Sequence, residues 1–178
     1  MLRLFVAIRP PAAVRDQLLD LMDGLPTARW QDDDQLHLTL RFIGEVDERA
    51  ADDVHLSLAD LRFPRFDLAL AGLGTFARKG RVDTLWAGVA PKGTVTALHH
   101  KVDAALVRAG LPPERRAFQP HLTLARFSRT AQPDLAPLLA RHAALTSAPF
   151  TVENFGLYRS ELTRDGAHYT LLDRFPLG

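Results

Sequence analysis

Two short stretches decide how this chain reads: His37-Leu38-Thr39-Leu40 and, 84 positions later, His121-Leu122-Thr123-Leu124. Each alternates a polar with an apolar residue, which is the pattern of a strand with one face in a core. Residues two apart on a strand share a face. His37 and Thr39 therefore point one way and Leu38 and Leu40 the other, and His121 and Thr123 repeat the arrangement. The match extends outward at the same offset, with Phe66 recurring as Phe150 and Gly72 as Gly156. Leu4 to Ile8, followed by Pro10, resembles Leu85 to Val89, followed by Pro91, at an offset of 81. Repeats this long exceed the roughly 20–50 residues of solenoid units and suggest two similar lobes packed about a pseudo-twofold axis. The expected organisation is one domain, 1–178, built from pseudo-repeats of about 1–84 and 85–178, with exchange of strands between lobes allowed.

Each half reads as strand, helix, strand, helix and a strand pair. Leu2 to Ile8 is rich in Phe, Val and Ile and stops at Pro10-Pro11, as a buried strand would. Ala12 to Leu25 carries Val14, Leu18, Leu21, Met22 and Leu25 at helical spacing, with Pro11 at its start and Gly24 near its end. Leu36 to Val46 is a second strand and Asp47 to Leu61 a helix. Phe66 to Phe76 and Val82 to Val89 form an expected hairpin across Arg78-Lys79-Gly80-Arg81. The second half follows with a helix over Thr94 to Ala109, a strand over Pro120 to Phe127 and a helix over Pro133 to Leu145. A last hairpin joins Phe150 to Tyr158 with His168 to Phe175 through Thr163-Arg164-Asp165-Gly166.

Composition removes several classes. With no cysteine there is no disulfide scaffold, thiolate zinc site, iron–sulfur cluster or thiol nucleophile. The net charge of +1 supplies no global field toward nucleic acid or membrane, so a polyanion must be gripped locally. Of the 22 basic residues only Lys79, Lys92 and Lys101 are lysines. The arginines offer a planar fork suited to phosphate. No run approaches the roughly 18 apolar residues of a membrane span, and the N-terminal apolar run is short and broken by Arg3. A cytoplasmic location with no membrane partner is expected.

Two histidines facing one cleft can divide acid and base work. An ordinary imidazole titrates near 6.5, so near neutrality one ring can be neutral while its partner is protonated. Phosphodiester cleavage needs that division: a base for the attacking oxygen and an acid for the departing one, on opposite sides of phosphorus. The hydroxyls of Thr39 and Thr123 can donate to the non-bridging oxygens. A metal or cofactor is not expected. Threonine is a poor zinc ligand, and His99-His100 are neighbours on a helix and point apart. The acidic run Asp32-Asp33-Asp34 reads as a solvated loop.

Three segments together resemble the 2H phosphoesterase superfamily. They are Leu4 to Ile8, His37 to Val46, and Pro120-His121-Leu122-Thr123-Leu124-Ala125-Arg126. Within it, the chain is most similar to the bacterial 2′–5′ RNA ligase-like RNA 2′,3′-cyclic phosphodiesterases. Leu157-Tyr158-Arg159-Ser160, followed by Gly166 and Tyr169, resembles the family's closing hairpin. The resemblance implies an α+β, bilobal fold of two pseudo-symmetric lobes, each an antiparallel sheet flanked by helices, about a central cleft. It implies hydrolysis of RNA 2′,3′-cyclic phosphate ends to 2′-phosphates, with 2′–5′ ligation as the reverse reaction in some members. It places His37 as proton donor, His121 as proton acceptor, and Thr39 and Thr123 on the phosphate. The residues alone leave the acid and base assignment open.

A basic residue often follows the second motif in this family, and Arg126 fills that place, three positions past Thr123. Arg41 lies only two past Thr39. In a regular strand Arg41 would share the face of His37 and Thr39, whereas Arg126 needs a bulge or a strand end to turn inward. Both are candidate phosphate-binding residues. Arg115 and Arg116 either rim the cleft or form a solvated turn. Trp30, Phe42, Phe118 and Phe127 flank the motifs, and stacking on a base or packing in a core is open for each. His55, His142 and His168 have no repeat partner. The expected partner is RNA ending in a 2′,3′-cyclic phosphate, tRNA fragments among the candidates, bound by a monomer. Alternatives are a 2H enzyme for a small cyclic nucleotide or ADP-ribose cyclic phosphate, and a non-catalytic RNA-binding module.

Overall fold

A computed structural model describes residues 1–178. Nine strands and four helices alternate along the chain. The first half runs β1 (Leu2–Ile8), α1 (Ala12–Asp20), β2 (Arg29–Trp30), β3 (Leu38–Val46), α2 (Glu48–Ala59) and β4 (Phe66–Arg78). The second runs β5 (Arg81–Ala90), α3 (Lys92–Arg108), β6 (His121–Arg126), α4 (Ala136–Arg141), β7 (Phe150–Val152), β8 (Asn154–Thr163) and β9 (Gly166–Pro176). The strands follow the order β7-β4-β5-β6-β3-β1-β8-β9, with β2 paired to β6. One lobe holds β7, β4, β5 and β6 with β2 added to β6, the other holds β3, β1, β8 and β9, and β3 and β6 join the lobes through the single pair Leu38↔Leu122. Both lobes take strands from both halves of the chain, since β4 crosses to lie beside β5 while β8 returns to lie beside β1.

Two pairings carry the symmetry of the repeat. Leu38 pairs antiparallel with Leu122, and Asp67 pairs antiparallel with Thr151. In both cases a residue faces its own equivalent 84 positions on. A twofold axis requires this wherever it passes between two strands, because the same patch then meets itself. His37 and Thr39 on one side of the axis therefore correspond to His121 and Thr123 on the other.

One face of the sheets is packed and the other is open. Leu4, Val6, Ile8, Leu38, Leu40, Leu122 and Leu124 join a continuous cluster of 35 buried apolar residues that also includes Val54 and Leu58 of α2 and Val95, Leu98 and Val102 of α3. A cluster this size fixes strand register, because a one-residue slip would turn every leucine outward. On the other face Phe5, Ala7 and Tyr158 form a small separate cluster. The open face carries the cleft.

β2 has no counterpart in the sequence reading, and three expected elements differ from it in length or pairing. α1 stops at Asp20, and the bonds from Leu21 to Leu18 and from Met22 to Leu19 tighten its last turn before Gly24 at φ +72°. α4 is only Ala136–Arg141: Pro137 lies in its first turn, and the Asp134 carboxylate accepts from the Ala136 amide. The strand expected over Phe150 to Tyr158 breaks at Glu153, with β7 adding to β4 in one lobe and β8 to β1 in the other.

Candidate active site

The paired leucines Leu38 and Leu122 set the two motifs side by side. Antiparallel running from that pair puts His37 beside Thr123 and Thr39 beside His121, on the open face. The two histidines are then diagonal neighbours, about 7–8 Å apart where the ladder is regular. His37, Thr39, Thr123 and Arg126 line one cavity of about 420 Å³. His121 lines an adjoining cavity of about 290 Å³, and Thr39 and Phe42 wall both.

His37 sits in an aromatic box. Tyr158, Tyr169 and Phe5 meet it edge-on, with ring centroids 4.6, 5.6 and 6.0 Å away. The residue is 7% exposed, and neither ring nitrogen has a hydrogen-bond partner within the protein. Burial is the main force on its titration and pushes it down to about 4. The Gln35 carbonyl opposes that shift without making a hydrogen bond of good geometry. Arg9 and Arg15 lower the value further and Asp34 raises it.

His121 is built in parallel. Phe76 meets it edge-on at 4.8 Å and Trp86 lies 6.0 Å away. Trp86 corresponds to Phe5 at the 81-residue offset, so each histidine is backed by an aromatic from the equivalent strand. Gly74 makes room for Trp86, since a Cβ there would overlap its ring. The Nδ1 of His121 lies 2.6 Å from the Gln119 carbonyl. A carbonyl only accepts, so Nδ1 carries the hydrogen and the lone pair of the neutral ring is on Nε2. Burial lowers the affinity of His121 for a proton, the Gln119 carbonyl raises it, and Arg126 lowers it. Gln35 and Gln119 are themselves an 84-offset pair, a signal in the sequence that extends the motif by two residues.

Matching bulges settle where the arginines point. Between Val6/Arg41 and Ala7/Thr39 the register of β1 and β3 shifts by one, leaving Leu40 as the extra residue. Between Leu85/Ala125 and Trp86/Thr123 the same happens to Leu124. Each bulge reverses the alternation downstream. Arg126 accordingly faces the cleft with Thr123. Arg41, expected on the His37 face, instead turns toward α3, where its Nε donates to Asp103 at 2.8 Å and its other nitrogens donate to the Phe42 and Pro112 carbonyls. Regular alternation was the wrong premise for β3. The true equivalent of Arg126 is Phe42, and the guanidinium of Arg3 lies 5.2 Å over the Phe42 ring. Arg3 and Arg126 both line the His37 cavity and neither is in an ion pair. Arg3 escaped the sequence reading. Its only signal is parity with Phe5 on β1, opposite to the buried Leu4 and Val6.

The remaining candidates separate cleanly. Asp33 is held by Arg15 at 2.8 Å and Arg9 at 3.1 Å, and the Arg15 hydrogen bond leads the effects that lower its pKa. Asp32 caps the 3₁₀ turn Asp33–Gln35, with Gln35 reaching back to it. The acidic run thus shapes the loop that delivers His37. Arg116 pairs with Glu114 on the rim of the His121 cavity, while Phe118 stacks on His99 at 4.1 Å. Phe127 is core. His55 meets Asp173 at 3.3 Å, away from both cavities. A separate cavity of about 440 Å³ at the β4–β5 turn is lined by Arg78, Lys79, Arg81 and Arg129 and contains neither histidine.

A bilobal sheet that presents two His-x-Thr pairs and unpaired arginines to two adjoining cavities on one face defines a 2H phosphoesterase. Residues 10–164 match the family model of the 2′-5′ RNA ligase superfamily, and the chain belongs to that family. It is 38% identical over 163 residues to an RNA 2′,3′-cyclic phosphodiesterase of Aeropyrum pernix, covering 90% of this chain and 91% of that one. It is 32% identical over 184 residues to the Escherichia coli protein of the same name, covering 98% and 96%. Among solved structures, E. coli LigT complexed with 3′-AMP superposes with a TM-score of 0.80 at 29% identity, over 99% of this chain and 98% of that one. The protein TT0787 of Thermus thermophilus gives 0.79 at 30% identity, over 98% and 97%. No helix is long and apolar enough to cross a membrane.

Proposed function

We propose that this protein hydrolyses the 2′,3′-cyclic phosphate at RNA ends to a 2′-phosphate, without a metal, using His121 as general base and His37 as general acid. In this mechanism water enters opposite the O3′ atom, and Nε2 of His121 takes its proton as the new P–O bond forms. The P–O3′ bond breaks, and the leaving oxygen receives a proton from His37 to become the 3′-hydroxyl. Phosphate charge is met by the hydroxyls of Thr39 and Thr123 and by Arg126 and Arg3. Each proton transfer is worth about 10²–10⁴ in rate.

The observation that carries the reading is the His121 to Gln119 hydrogen bond at 2.6 Å, which presents the Nε2 lone pair and so favours His121 as base. His37 lacks such an anchor and needs a proton to act. Its ring is neutral near pH 7 in the free protein, and the negative diester beside it restores the protonated form on binding. With the 5′-hydroxyl of a second RNA end in place of water, His121 takes its proton as the P–O5′ bond forms and His37 protonates O3′ as the P–O3′ bond breaks, leaving a 2′–5′ linkage, which is the ligation the family name describes. A monomer is the proposed working unit. The proposed location is the cytoplasm, with RNA ends such as those of tRNA fragments as substrates.

The test is incubation with an oligoribonucleotide ending in a 2′,3′-cyclic phosphate, in EDTA, with the product end mapped. A 2′-phosphate is expected. A 3′-phosphate, or RNA that binds unchanged at enzyme excess, overturns the reading.

A further inference from the structure

The His37 cavity does not end at the reacting group. It opens into a groove of about 610 Å³ between the β8–β9 turn of one lobe and the β2–β6 edge of the other. The two share Gln31, Gln35, Arg126, Leu162, Ala167 and Tyr169 as walls. Beyond Arg126 the groove is lined by Arg29, Trp30 and Arg164, with Asp165 as its one acid. Neither Arg29 nor Arg164 has a carboxylate partner; every ion pair of the protein lies elsewhere.

The opposite exit, past His121, differs in charge. Its arginines are already neutralised, Arg41 by Asp103 and Arg116 by Glu114. Among the residues that line the two exits, unpaired arginines are thus met on one side only. The β8–β9 turn is also held in place, because the Gln35 side chain donates to the Ala167 carbonyl at 2.8 Å. Gln35 belongs to the turn that delivers His37, so groove wall and reaction site are tied together.

We propose that this groove seats the nucleotides on the 5′ side of the cyclic phosphate, with Arg29 and Arg164 on backbone phosphates and Trp30 against a base. An RNA chain continues from O5′ of its terminal ribose, so a substrate of two or more nucleotides has to leave the pocket by one exit. Guanidinium groups that track phosphates and an aromatic that stacks on bases are the two ingredients of sequence-tolerant single-strand binding. The proposal rests on the cyclic-phosphodiesterase reading and adds that the enzyme prefers oligonucleotide ends to mononucleotides.

The experiment compares kcat/KM for a mononucleotide 2′,3′-cyclic phosphate and for a short oligoribonucleotide with the same end. It uses the wild-type protein, the double variant Arg29→Gln/Arg164→Gln, and Trp30→Leu. The wild type is expected to favour the oligonucleotide by about tenfold or more, and the double variant to lose most of that preference while mononucleotide turnover stays within about twofold. Trp30→Leu is expected to lower oligonucleotide turnover by about tenfold. In parallel, fluorescence anisotropy with a labelled oligonucleotide ending in a 2′-phosphate reads binding without turnover. The slope of log Kd against log salt is expected to fall by about 1.4 in the double variant, near 0.7 for each lost phosphate contact. Equal wild-type kcat/KM on both substrates, or an equal loss on both in the double variant, overturns the proposal. If neither substrate is turned over, the cyclic-phosphodiesterase reading fails, and the anisotropy slopes alone decide the groove: an unchanged slope sinks it.

Discussion

Raising the pH through neutrality probes the burial of the two imidazoles. Both titrate below the ordinary value near 6.5, His37 at about 4, and desolvation is the leading cause for each. With the pKa about three pH units below neutrality, about one His37 ring in a thousand is protonated in the free protein at pH 7. Productive encounter requires one proton on the pair, held by His37. Above the upper macroscopic pKa of the pair, that form loses a factor of about ten per pH unit. The limb begins below about 6.5, so kcat/KM is expected to fall about a hundredfold between about pH 6.5 and 8.5. A mononucleotide 2′,3′-cyclic phosphate followed by chromatography at substrate concentrations far below KM gives this quantity directly. Its diester does not titrate in the range, so the limb belongs to the enzyme. The profile of kcat alone is expected to lie at higher pH, because the bound anion raises the His37 pKa. A kcat/KM that stays level across that range would refute the assignment of a buried imidazole as the acid.

Other outcomes follow from the same geometry. Arg126→Gln is expected to lower kcat/KM about 10- to 100-fold by removing a charged donor from the phosphate. Arg41→Gln, which breaks the pair with Asp103, is expected to cost about 3 kcal/mol or more of stability in urea unfolding and to leave kcat/KM of the folded protein within about threefold. Gly74→Ala drives a Cβ into the Trp86 ring, and the overpacking is expected to cost about 1–3 kcal/mol in thermal unfolding and to lower kcat as Trp86 leaves His121. The depressed His37 pKa also makes stability depend on pH. The unfolded ring binds a proton near 6.5 and the folded ring only near 4, so stability falls as pH drops through that window and levels off below it. His37→Gln is expected to remove up to about 3 kcal/mol of that loss, seen by comparing urea midpoints at about pH 4 and 7.

Much of the site was legible because strand parity is local. The spacing of His37 from Thr39 and of His121 from Thr123 sets which side chains share a face, and the shared 84-residue offset brings the two pairs to one axis. What parity misses is tertiary. A bulge adds one residue to one strand of a pair, and nothing in Leu40-Arg41 or Leu124-Ala125 announces it. Parity therefore failed for Arg41, and Arg126 turned inward only because the partner strands β1 and β5 impose the same shift. Arg3 was hidden because the face of β1 that meets the cleft depends on its pairing with β3. The division of Phe150 to Tyr158 between lobes depends on which free edge each piece finds. The helices were readable from their apolar faces, and their ends were wrong where prolines and tight turns set the boundary.

Two imidazoles acting on one phosphoryl group are the centre of the proposed chemistry. The most direct test is kcat/KM on an RNA 2′,3′-cyclic phosphate end for His37→Ala, His121→Ala and the double variant, each shown by circular dichroism to be folded. Each single change is expected to cost about 10²–10⁴, and the double about as much as the worse single, because the two groups act in one step. A single variant with wild-type turnover, or losses that multiply in the double, would contradict the account.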